Sequence, residues 1–289
     1  MSVGGLQQVF QEVDSGGCPI SYSLVGRGRP VLLVMGLGAA SDAWQDHVGA
    51  WAEAFSCVLV DNRGAGRSGK PAGPYSTSSM ADDCARVLES VADEPAAVIG
   101  LSMGGAIAQE LALGYPQLVR RLVLVSSWAR CDNYLSEIIE HLCVGHEKLD
   151  ASEFAQLLQL RIWSPDYISE HLGELRAARR LAGEAATPHH AFAAQCGACA
   201  SHDSLDRLEE IAVPTLITAG RDDGFTALQH AEQMQRAIRG SCLDVFPGGH
   251  AHHWENLDAF NERVLAWLSE DLEARGCSVS FGSAEARSK

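Results

Sequence analysis

The segment 96–116, AAVIGLSMGGAIAQELALGYP, constrains the fold more than any other part of the sequence. An apolar run typical of a buried strand passes through a Gly-x-Ser-x-Gly pattern, centred on Ser102, into a helical pattern that Gly114 and Pro116 end. A side chain at position 100 or 104 would collide with the crossing backbone, so glycine is needed at both. We expect Ser102 at the apex of a sharp turn, in a strained conformation with its hydroxyl exposed.

The position of Ser102 favours the chemistry of a nucleophile. It stands at the start of a helix, where unpaired N–H groups and the helix dipole stabilise negative charge. The competing interpretation is a glycine-rich turn in which the serine is incidental. The strand before Ser102 and the helix after it favour the nucleophile.

Strands and helices alternate through the first part of the chain. Two early strands, in QQVFQEV and CPISYSLVG, are predicted to pair antiparallel, and buried strands follow in RPVLLVMG, SCVLVDNRG, AAVIG and VRRLVLVSSW. Helical patterns separate the later strands. This order predicts an α/β fold with a mostly parallel central sheet and helices on both faces.

A change of pattern divides the chain into a core and a cap. From residue 129 to about 207 no buried-strand pattern occurs, and apolar residues recur at helical spacing. Strand–helix alternation resumes with VPTLITAG. We predict an α/β core over 1–128 and 208–275, a helical cap over 129–207 inserted after the strand ending near Trp128, and a small, polar, disordered tail over 276–289.

The bulk composition limits the classes of partner. A formal net charge of −15 at pH 7 argues against nucleic acid or an anionic membrane as a main partner. No stretch is apolar for long enough to span a bilayer, and MSVGGLQQVFQEVD lacks the basic and apolar regions of a signal peptide. The nine cysteines are scattered, which suggests reduced thiols. These features predict a cytoplasmic protein whose partner is a small-molecule substrate.

Two groups of residues could suggest redox or metal chemistry. Cys196 and Cys199 form a Cys-x-x-Cys pair, but a small-residue helical pattern without a second pair favours a structural role. The histidines at 189, 190, 250, 252 and 253 include no helical His-x-x-x-His with a neighbouring glutamate. We therefore expect no metal site and no cofactor.

Four motifs, in order, make the chain resemble the α/β-hydrolase fold family over nearly its whole length. The nucleophile elbow is GLSMGG, VMGLG stands where the family keeps its oxyanion loop, and VDNRGAGRSGKP is similar to the family's Asp-x-Arg-Gly-x-Gly-x-Ser loop. AGRDD and GGHAHHWEN fall where the family keeps its acid and its histidine. Within the family, the chain resembles the branch with 3-oxoadipate enol-lactonases, small esterases, non-metal haloperoxidases and aminoacrylate hydrolase.

The resemblance implies a catalytic triad of Ser102, Asp223 and His250. Serine is a poor nucleophile at neutral pH and needs a base. The family's base directly follows its glycines, which selects His250 over the two later histidines of the same loop. The family's Gly-x-x-Asp spacing selects Asp223, rather than Asp222, as the acid that orients the imidazole.

The resemblance also implies an oxyanion hole made by the backbone N–H groups of Leu37 and Met103. The loop 61–68 contains glycines and arginines that could cradle a phosphate. Its spacing matches neither Gly-x-Gly-x-x-Gly nor a P-loop. The resemblance instead makes Asp61, Arg63 and Ser68 structural bracing.

Three aromatic residues are candidates for the wall of a substrate pocket. Trp128 follows a strand at the carboxyl edge of the sheet, where ligands bind in such folds, and Trp163 and Phe192 lie in the cap. Packing of the cap is the alternative role for these side chains. His252 and His253 are further candidates for residues that line the mouth of the pocket.

The sequence thus favours a serine hydrolase that cleaves a small carboxylic ester or lactone through an acyl-enzyme, without cofactor or metal. A C–N or C–C bond hydrolase and a biosynthetic thioesterase are alternatives, because the recognised motifs belong to the scaffold rather than to the pocket. Outside hydrolysis, the alternatives are a ligand receptor and a non-acylating lyase or isomerase that uses His250 as a base. A homodimer is a further possibility for the oligomeric state.

Overall fold

A mostly parallel sheet organises the molecule in the computed structural model. The structure describes residues 2–3, 6–7, 9–181, 187–269 and 280–281, with side chains over 9–180 and 187–269. Within these residues the sheet strands are β1 (Val9–Ser15), β2 (Cys18–Gly26), β3 (Arg29–Val34), β4 (Phe55–Val60), β5 (Ala96–Leu101), β6 (Val119–Val125), β7 (Thr215–Gly220), β8 (Cys242–Phe246) and β9 (Ser280–Phe281). Ser2–Val3 and Leu6–Gln7 form a separate antiparallel pair.

The strand order across the sheet is β9-β8-β7-β6-β5-β3-β4-β2-β1. Strand β2 pairs antiparallel with β1 and β4, whereas the remaining neighbours are parallel, as the sequence predicts. The order reverses between β3 and β5, because β4 lies on the far side of β3. The carboxyl ends of β3 and β5 therefore flank the crevice at which open α/β sheets bind ligands.

Helices follow most of the parallel strands and fill the interval between β6 and β7. Their bounds are α1 (Gln45–Trp51), α2 (Thr77–Val91), α3 (Met103–Gly114), α4 (Asn133–Lys148), α5 (Ala151–Ile162), α6 (Pro165–Leu181), α7 (His189–Ser201), α8 (Leu228–Ala237), α9 (His252–Glu255) and α10 (Leu257–Ser269). Short 3₁₀ helices cover Ser41–Trp44, Pro116–Leu118 and Leu205–Glu210.

Each face of the sheet packs against its own set of helices. Along β3, Leu32 and Val34 belong to a core that includes side chains of α2, α3 and α8, whereas Val31 and Leu33 belong to a second core with α1 and α10. Successive side chains of a strand point to opposite faces, so a strand covered on both sides has to be apolar throughout. This double burial explains the continuous apolar run RPVLLVMG.

The cap helices α4–α7 lie within the predicted interval 129–207. They begin at Asn133 and end at Ser201, and an antiparallel bridge between Arg130 and Asp203 joins the two ends of the insertion. The predicted disordered tail, 276–289, lies outside the described residues except for Ser280–Phe281. These two residues pair in parallel with β8.

The cysteines correct one expectation. Within the described residues, seven carry free thiols, among them Cys196 and Cys199, whose pKa values are raised by burial in α7. Cys242 is instead disulfide-bonded, so the expectation of reduced thiols is wrong for this residue. It begins β8, beside the outermost strand, a location that sequence spacing does not reveal. No helix in the described part of the chain combines the length and the apolar character needed to cross a membrane.

Candidate active site

The turn from β5 into α3 holds Ser102 in the predicted strained conformation. Its φ of 55° is in the left-handed region, and its N–H donates to the carbonyl of Val125 at 2.8 Å. A Cβ at Gly100 would lie 2.2 Å from the carbonyl oxygen of Gly104, and one at Gly104 would lie 2.1 Å from that of Val34. The glycines therefore let the helix cross the strands, and this close crossing leaves Ser102 at the tip of the turn.

A buried carboxylate orients His250 on the neighbouring loops. The Nδ1 of His250 lies 2.9 Å from Oδ2 of Asp223, and both side chains are buried. Asp223 also accepts bonds from the backbone N–H groups of Phe225 and Thr226, at 2.8 and 2.9 Å, and from the Thr226 hydroxyl at 2.8 Å. With its proton on Nδ1, the imidazole has Nε2 free to accept a proton.

The electrostatics of this pair favour an ionised carboxylate. Burial by itself raises the pKa of Asp223, but the charge of His250 and the hydrogen bonds from His250, Thr226 and Phe225 outweigh it, so the pKa is lowered. The ring of Phe225 stacks on His250, with centroids 4.7 Å apart. Asp223 can therefore remain a negative partner for the imidazole while apolar contact limits the ring's movement.

The alternative candidates for the acid and the base lie in other environments. Asp222 is exposed, and its N–H donates to the carbonyl of Gly248. His253 is buried among aromatic rings, 4.2 Å from Trp254 and 5.3 Å from His47 between centroids. Its ring lines the cavity described below, but neither ring nitrogen has a hydrogen-bond partner within the described residues.

A buried hydrogen-bond chain that the sequence did not suggest holds the backbone of His250. The Ser126 hydroxyl donates to the His250 carbonyl at 2.9 Å and lies 3.1 Å from Nδ1 of His252. Nε2 of His252 lies 3.1 Å from the Thr218 hydroxyl. Burial lowers the pKa of His252 to about 3, so the neutral ring donates through Nδ1 and accepts through Nε2. His252 is thus a support for the loop rather than part of the pocket mouth.

The loop after β3 lies against the turn that holds Ser102. A Cβ at Gly36 would lie 3.2 Å from Cβ of Ser102. The side chain of Asn62 donates to the Met35 carbonyl at 2.8 Å, and the Gly38 N–H donates to Oε1 of Gln195 at 2.8 Å. These bonds fix the backbone on both sides of Leu37, one of the two predicted oxyanion donors.

The second predicted donor, Met103, is the first residue of α3. The N–H groups of the first turn of a helix have no intrahelical acceptor, so this N–H is available to an anion. Gln195, which comes from cap helix α7, also donates through Nε2 to the Arg63 carbonyl at 2.8 Å. No sequence motif singled out Gln195, although one of its bonds joins the cap to the oxyanion loop and the other joins the cap to the loop 61–68.

The loop 61–68 braces this region, as the resemblance implies. The carboxylate of Asp61 accepts bonds from the backbone N–H groups of Ser41, at 2.7 Å, and Arg67, at 2.8 Å. Ser68 donates to the Asp61 carbonyl at 2.6 Å, and Arg63 forms a two-pronged pair with Asp83 at 2.6 Å. These side chains are occupied in holding neighbouring segments together.

Ser102 and His250 open onto one cavity, the catalytic chamber, of about 180 Å³. Its wall consists of Met35, Gly36, Leu37, Ala39, Ala43, Leu101, Ser102, Leu142, Leu158, Ile162, Phe225, His250, Ala251, His253 and Trp254. Among these described residues the polar side chains are Ser102, His250 and His253, and none is Asp, Glu, Lys or Arg. The chamber therefore offers an uncharged, largely apolar surface beside the nucleophile.

The three aromatic candidates lie in three different places. Phe192 lines a second cavity beneath the cap, and Trp163 lines an open cleft that shares Ala43 and Trp254 with the catalytic chamber. Trp128 requires a correction, because it is only 1% exposed and lies in the core rather than on the chamber wall. The chain turns at Ser126, where φ is 47°, and carries the Trp128 ring edge-on against His202.

A family model decides the family. The model for the alpha/beta hydrolase fold matches residues 29–257. The chain belongs to the α/β-hydrolase fold family. The sheet order, the turn at Ser102 and the order of the three loops agree with this membership, and the chain is a hydrolase.

Named relatives and solved structures add to this assignment. The chain is 33% identical over 261 residues to "Putative carbamate hydrolase RutD" of Azorhizobium caulinodans, covering 88% of this chain and 97% of the relative. A hydrolase from Pseudomonas aeruginosa PA01 has a TM-score of 0.81 at 28% identity, covering 93% of this chain and all of that one. A thermophilic esterase from Thermogutta terrifontis has a TM-score of 0.79 at 25% identity, covering 91% and 98%.

Proposed function

We propose that this hydrolase cleaves an uncharged carboxylic ester or lactone by a serine mechanism. The observation that carries the proposal is the catalytic chamber, where Ser102 and a carboxylate-oriented His250 meet a wall without charged side chains. A hydrolysable bond brought there is flanked by apolar groups. A charged substrate would lose its hydration without gaining an ion pair, which disfavours it.

The mechanism assigns one step to each group. The Ser102 hydroxyl attacks the carbonyl carbon while Nε2 of His250 takes its proton. The N–H groups of Leu37 and Met103 stabilise the oxyanion. His250 then protonates the leaving oxygen, which departs and leaves an acyl-enzyme. Water, deprotonated by the same imidazole, cleaves the acyl-enzyme and regenerates Ser102.

Asp223 stabilises the imidazolium that forms in each of these steps. The 2.9 Å contact between its carboxylate and Nδ1 of His250 keeps the proton on Nδ1. Nε2 therefore stays free to take the proton of the Ser102 hydroxyl. The bonds from Thr226 and from the backbone hold the carboxylate itself. The acid thus acts through His250, without taking the proton.

Cleavage of a C–N bond is the second candidate function. The relative from Azorhizobium caulinodans, at 33% identity, carries the words carbamate hydrolase in its name. A carbamate anion, however, would meet no cationic side chain among the described residues of the catalytic chamber. We therefore rank a neutral ester or lactone ahead of a C–N substrate.

The test compares two substrates that differ only in the scissile atom, p-nitrophenyl butyrate and butyryl p-nitroanilide. We expect the wild type to turn over the ester many times and to cleave the ester faster than the anilide. Ser102→Ala should lower kcat/KM for the ester by at least about 10³-fold, with an unchanged circular dichroism spectrum.

Two results would overturn the proposal. If the anilide is cleaved as fast as the ester, the C–N candidate replaces the ester. If Ser102→Ala keeps the wild-type rate, or a fluorophosphonate probe fails to add its mass to the wild type, Ser102 is not the nucleophile.

A further inference from the structure

A second cavity adjoins the catalytic chamber beneath the cap. Its volume is about 370 Å³, compared with about 180 Å³ for the catalytic chamber, and both walls contain Leu37, Ala39 and Leu158. The remaining lining residues of this cap chamber are Gly38, His146, Leu149, Ala151, Phe154, Ala155, Thr187 and Phe192. The oxyanion loop therefore forms one side of both spaces, and α5 forms the other.

The wall of the cap chamber is mostly aromatic and aliphatic, and Thr187 and His146 add polar groups to it. His146 stacks on Phe192, with centroids 4.2 Å apart and rings 8° from parallel, and it meets Phe154 edge-on at 5.0 Å. Its Nδ1 lies 3.3 Å from Nδ1 of His189, so one polar edge of this ring already has a partner. Burial is the larger cause and the neighbouring His189 the smaller one of a lowered pKa of His146, which favours the neutral form of this ring.

The stereochemistry of the attack decides which part of a substrate faces the cap chamber. The leaving group has to lie beside His250, which protonates it, and the oxyanion has to lie against Leu37 and Met103. The residues shared by the two chambers do not include His250 or its stacking partner Phe225. The acyl group, rather than the leaving group, therefore faces the side of the catalytic chamber that Leu37 and Leu158 share with the cap chamber.

We propose that the two chambers form one continuous acyl-binding site, and that this hydrolase prefers medium-length, unbranched apolar acyl groups. This inference rests on the proposed ester hydrolysis. The catalytic chamber holds the carbonyl carbon and the first carbons of the acyl chain. The later methylene groups pass Leu158 and lie against Phe154 and Phe192. Each methylene that leaves water for such a surface is worth about a fourfold gain in kcat/KM when only the transition-state complex buries it.

The experiment measures kcat/KM for p-nitrophenyl acetate, butyrate, hexanoate and octanoate with the wild type and two variants. Ala155→Trp fills the cap chamber from α5, where Ala155 is half-buried. Gln156→Trp places the same ring at the next position of the helix, where the side chain is exposed and outside the lining. Ala151→Trp, at an exposed lining position, gives a second obstruction if Ala155→Trp does not fold.

We expect the wild type to prefer hexanoate over butyrate by roughly 15-fold, because hexanoate adds two methylene groups. Ala155→Trp should lose this preference while keeping acetate activity within about twofold of wild type. Gln156→Trp should keep the wild-type profile. A wild type that prefers acetate, or an Ala155→Trp variant with an unchanged profile, would refute the acyl-binding site.

A series of alkyl acetates checks the orientation. If Ala155→Trp impairs hexyl acetate relative to ethyl acetate and leaves the acyl series unchanged, the cap chamber binds the leaving group and our assignment is wrong. Failure of the proposed function looks different, because the wild type would then cleave none of the esters, including acetate, or would cleave butyryl p-nitroanilide as fast as p-nitrophenyl butyrate.

Discussion

The parallel strands and the cap helices α5 and α6 bury their side chains to very different degrees. All six residues of β5 and all six of β7 are buried. In the twelve-residue helix α5, by contrast, Gln159 is the buried residue, and Leu160 is 58% exposed. The loops that carry the candidate catalytic groups are therefore attached to the buried strands of the sheet. One wall of the substrate chambers, by contrast, belongs to α5, whose side chains are mostly not buried.

The chemistry of the two regions differs in the same sense. On the sheet side, Asp223, His250, Ser126 and His252 form closed hydrogen-bond chains. On the cap side, α5 contributes Phe154, Leu158 and other apolar groups to the chambers. Catalytic geometry needs fixed dipoles, but an apolar wall tolerates small displacements at little cost. This division predicts that sheet-side changes affect turnover and cap-side changes affect substrate choice.

The largest expected effect belongs to Asp223→Asn. The amide cannot hold the imidazole in the required tautomer, so kcat for p-nitrophenyl butyrate should fall by about 10³- to 10⁴-fold. Asp222→Asn is the matched control, because the neighbouring side chain is exposed and should keep wild-type activity. Steady-state kinetics with both variants give the measurement. A kcat above a tenth of wild type in Asp223→Asn would contradict the assigned acid.

Hydrogen exchange tests the difference in packing directly. Amides of α5 and α6 should exchange through local opening, at rates at least about 10³-fold faster than those of β5 and β7, which need global unfolding. Exchange mass spectrometry on the native protein, with peptides covering 96–101, 151–181 and 215–220, measures this. Equal protection of the two regions would remove the basis of the comparison.

Gln195 connects the two regions, and its loss should have an intermediate effect. Gln195→Leu removes the bond to Gly38 N–H and the bond to the Arg63 carbonyl, so the oxyanion loop loses its support from α7. We expect kcat to fall by about 10- to 100-fold with little change in KM, because the oxyanion forms after binding.

Gln109→Leu provides the control for simple loss of stability. Gln109 is also fully buried, and it bonds to the Trp128 carbonyl and to Ser204, away from the oxyanion loop. Both variants should lower the melting temperature, but Gln109→Leu should keep kcat. If the two variants lose kcat equally, Gln195 has only a structural role.

The smallest expected effect concerns stability in acid and tests His253, a buried ring whose two nitrogens lack hydrogen-bond partners within the described residues. Burial, together with neighbouring histidines, lowers the pKa of His253 well below its usual value. The folded state then binds fewer protons than the unfolded state, so stability is lost as the pH falls below about 6.5. His253→Phe should reduce this loss by up to about 1.4 kcal/mol per pH unit.

Urea unfolding at pH 7.5, 6 and 5 measures the slope for wild type and His253→Phe. His141→Phe, at an exposed position, is the control and should leave the slope unchanged. At pH 7.5 the variant should be at least as stable as wild type, since both ring nitrogens of His253 lack partners within the described residues. An unchanged slope would show that His253 is not buried as a neutral ring.

The sequence by itself determined the alternation of strands and helices and the turn at Ser102, and the resemblance to the family selected Asp223 and His250 as the candidate acid and base. These features depend on neighbours in the chain. A buried parallel strand has to be apolar on both faces, and the crossing of strand and helix at Ser102 admits glycine alone at positions 100 and 104. Motif spacing then identified the loops that follow each strand.

Only the tertiary structure decided which distant side chains support the site. The bond from Gly38 to Gln195 joins residues 157 positions apart, and that from Ser126 to the His250 carbonyl joins residues 124 apart. Tertiary packing also buries Trp128 in the core and places the cap chamber beside Leu37. Contacts of this kind depend on how distant segments of the chain pack together, and no local periodicity encodes that arrangement.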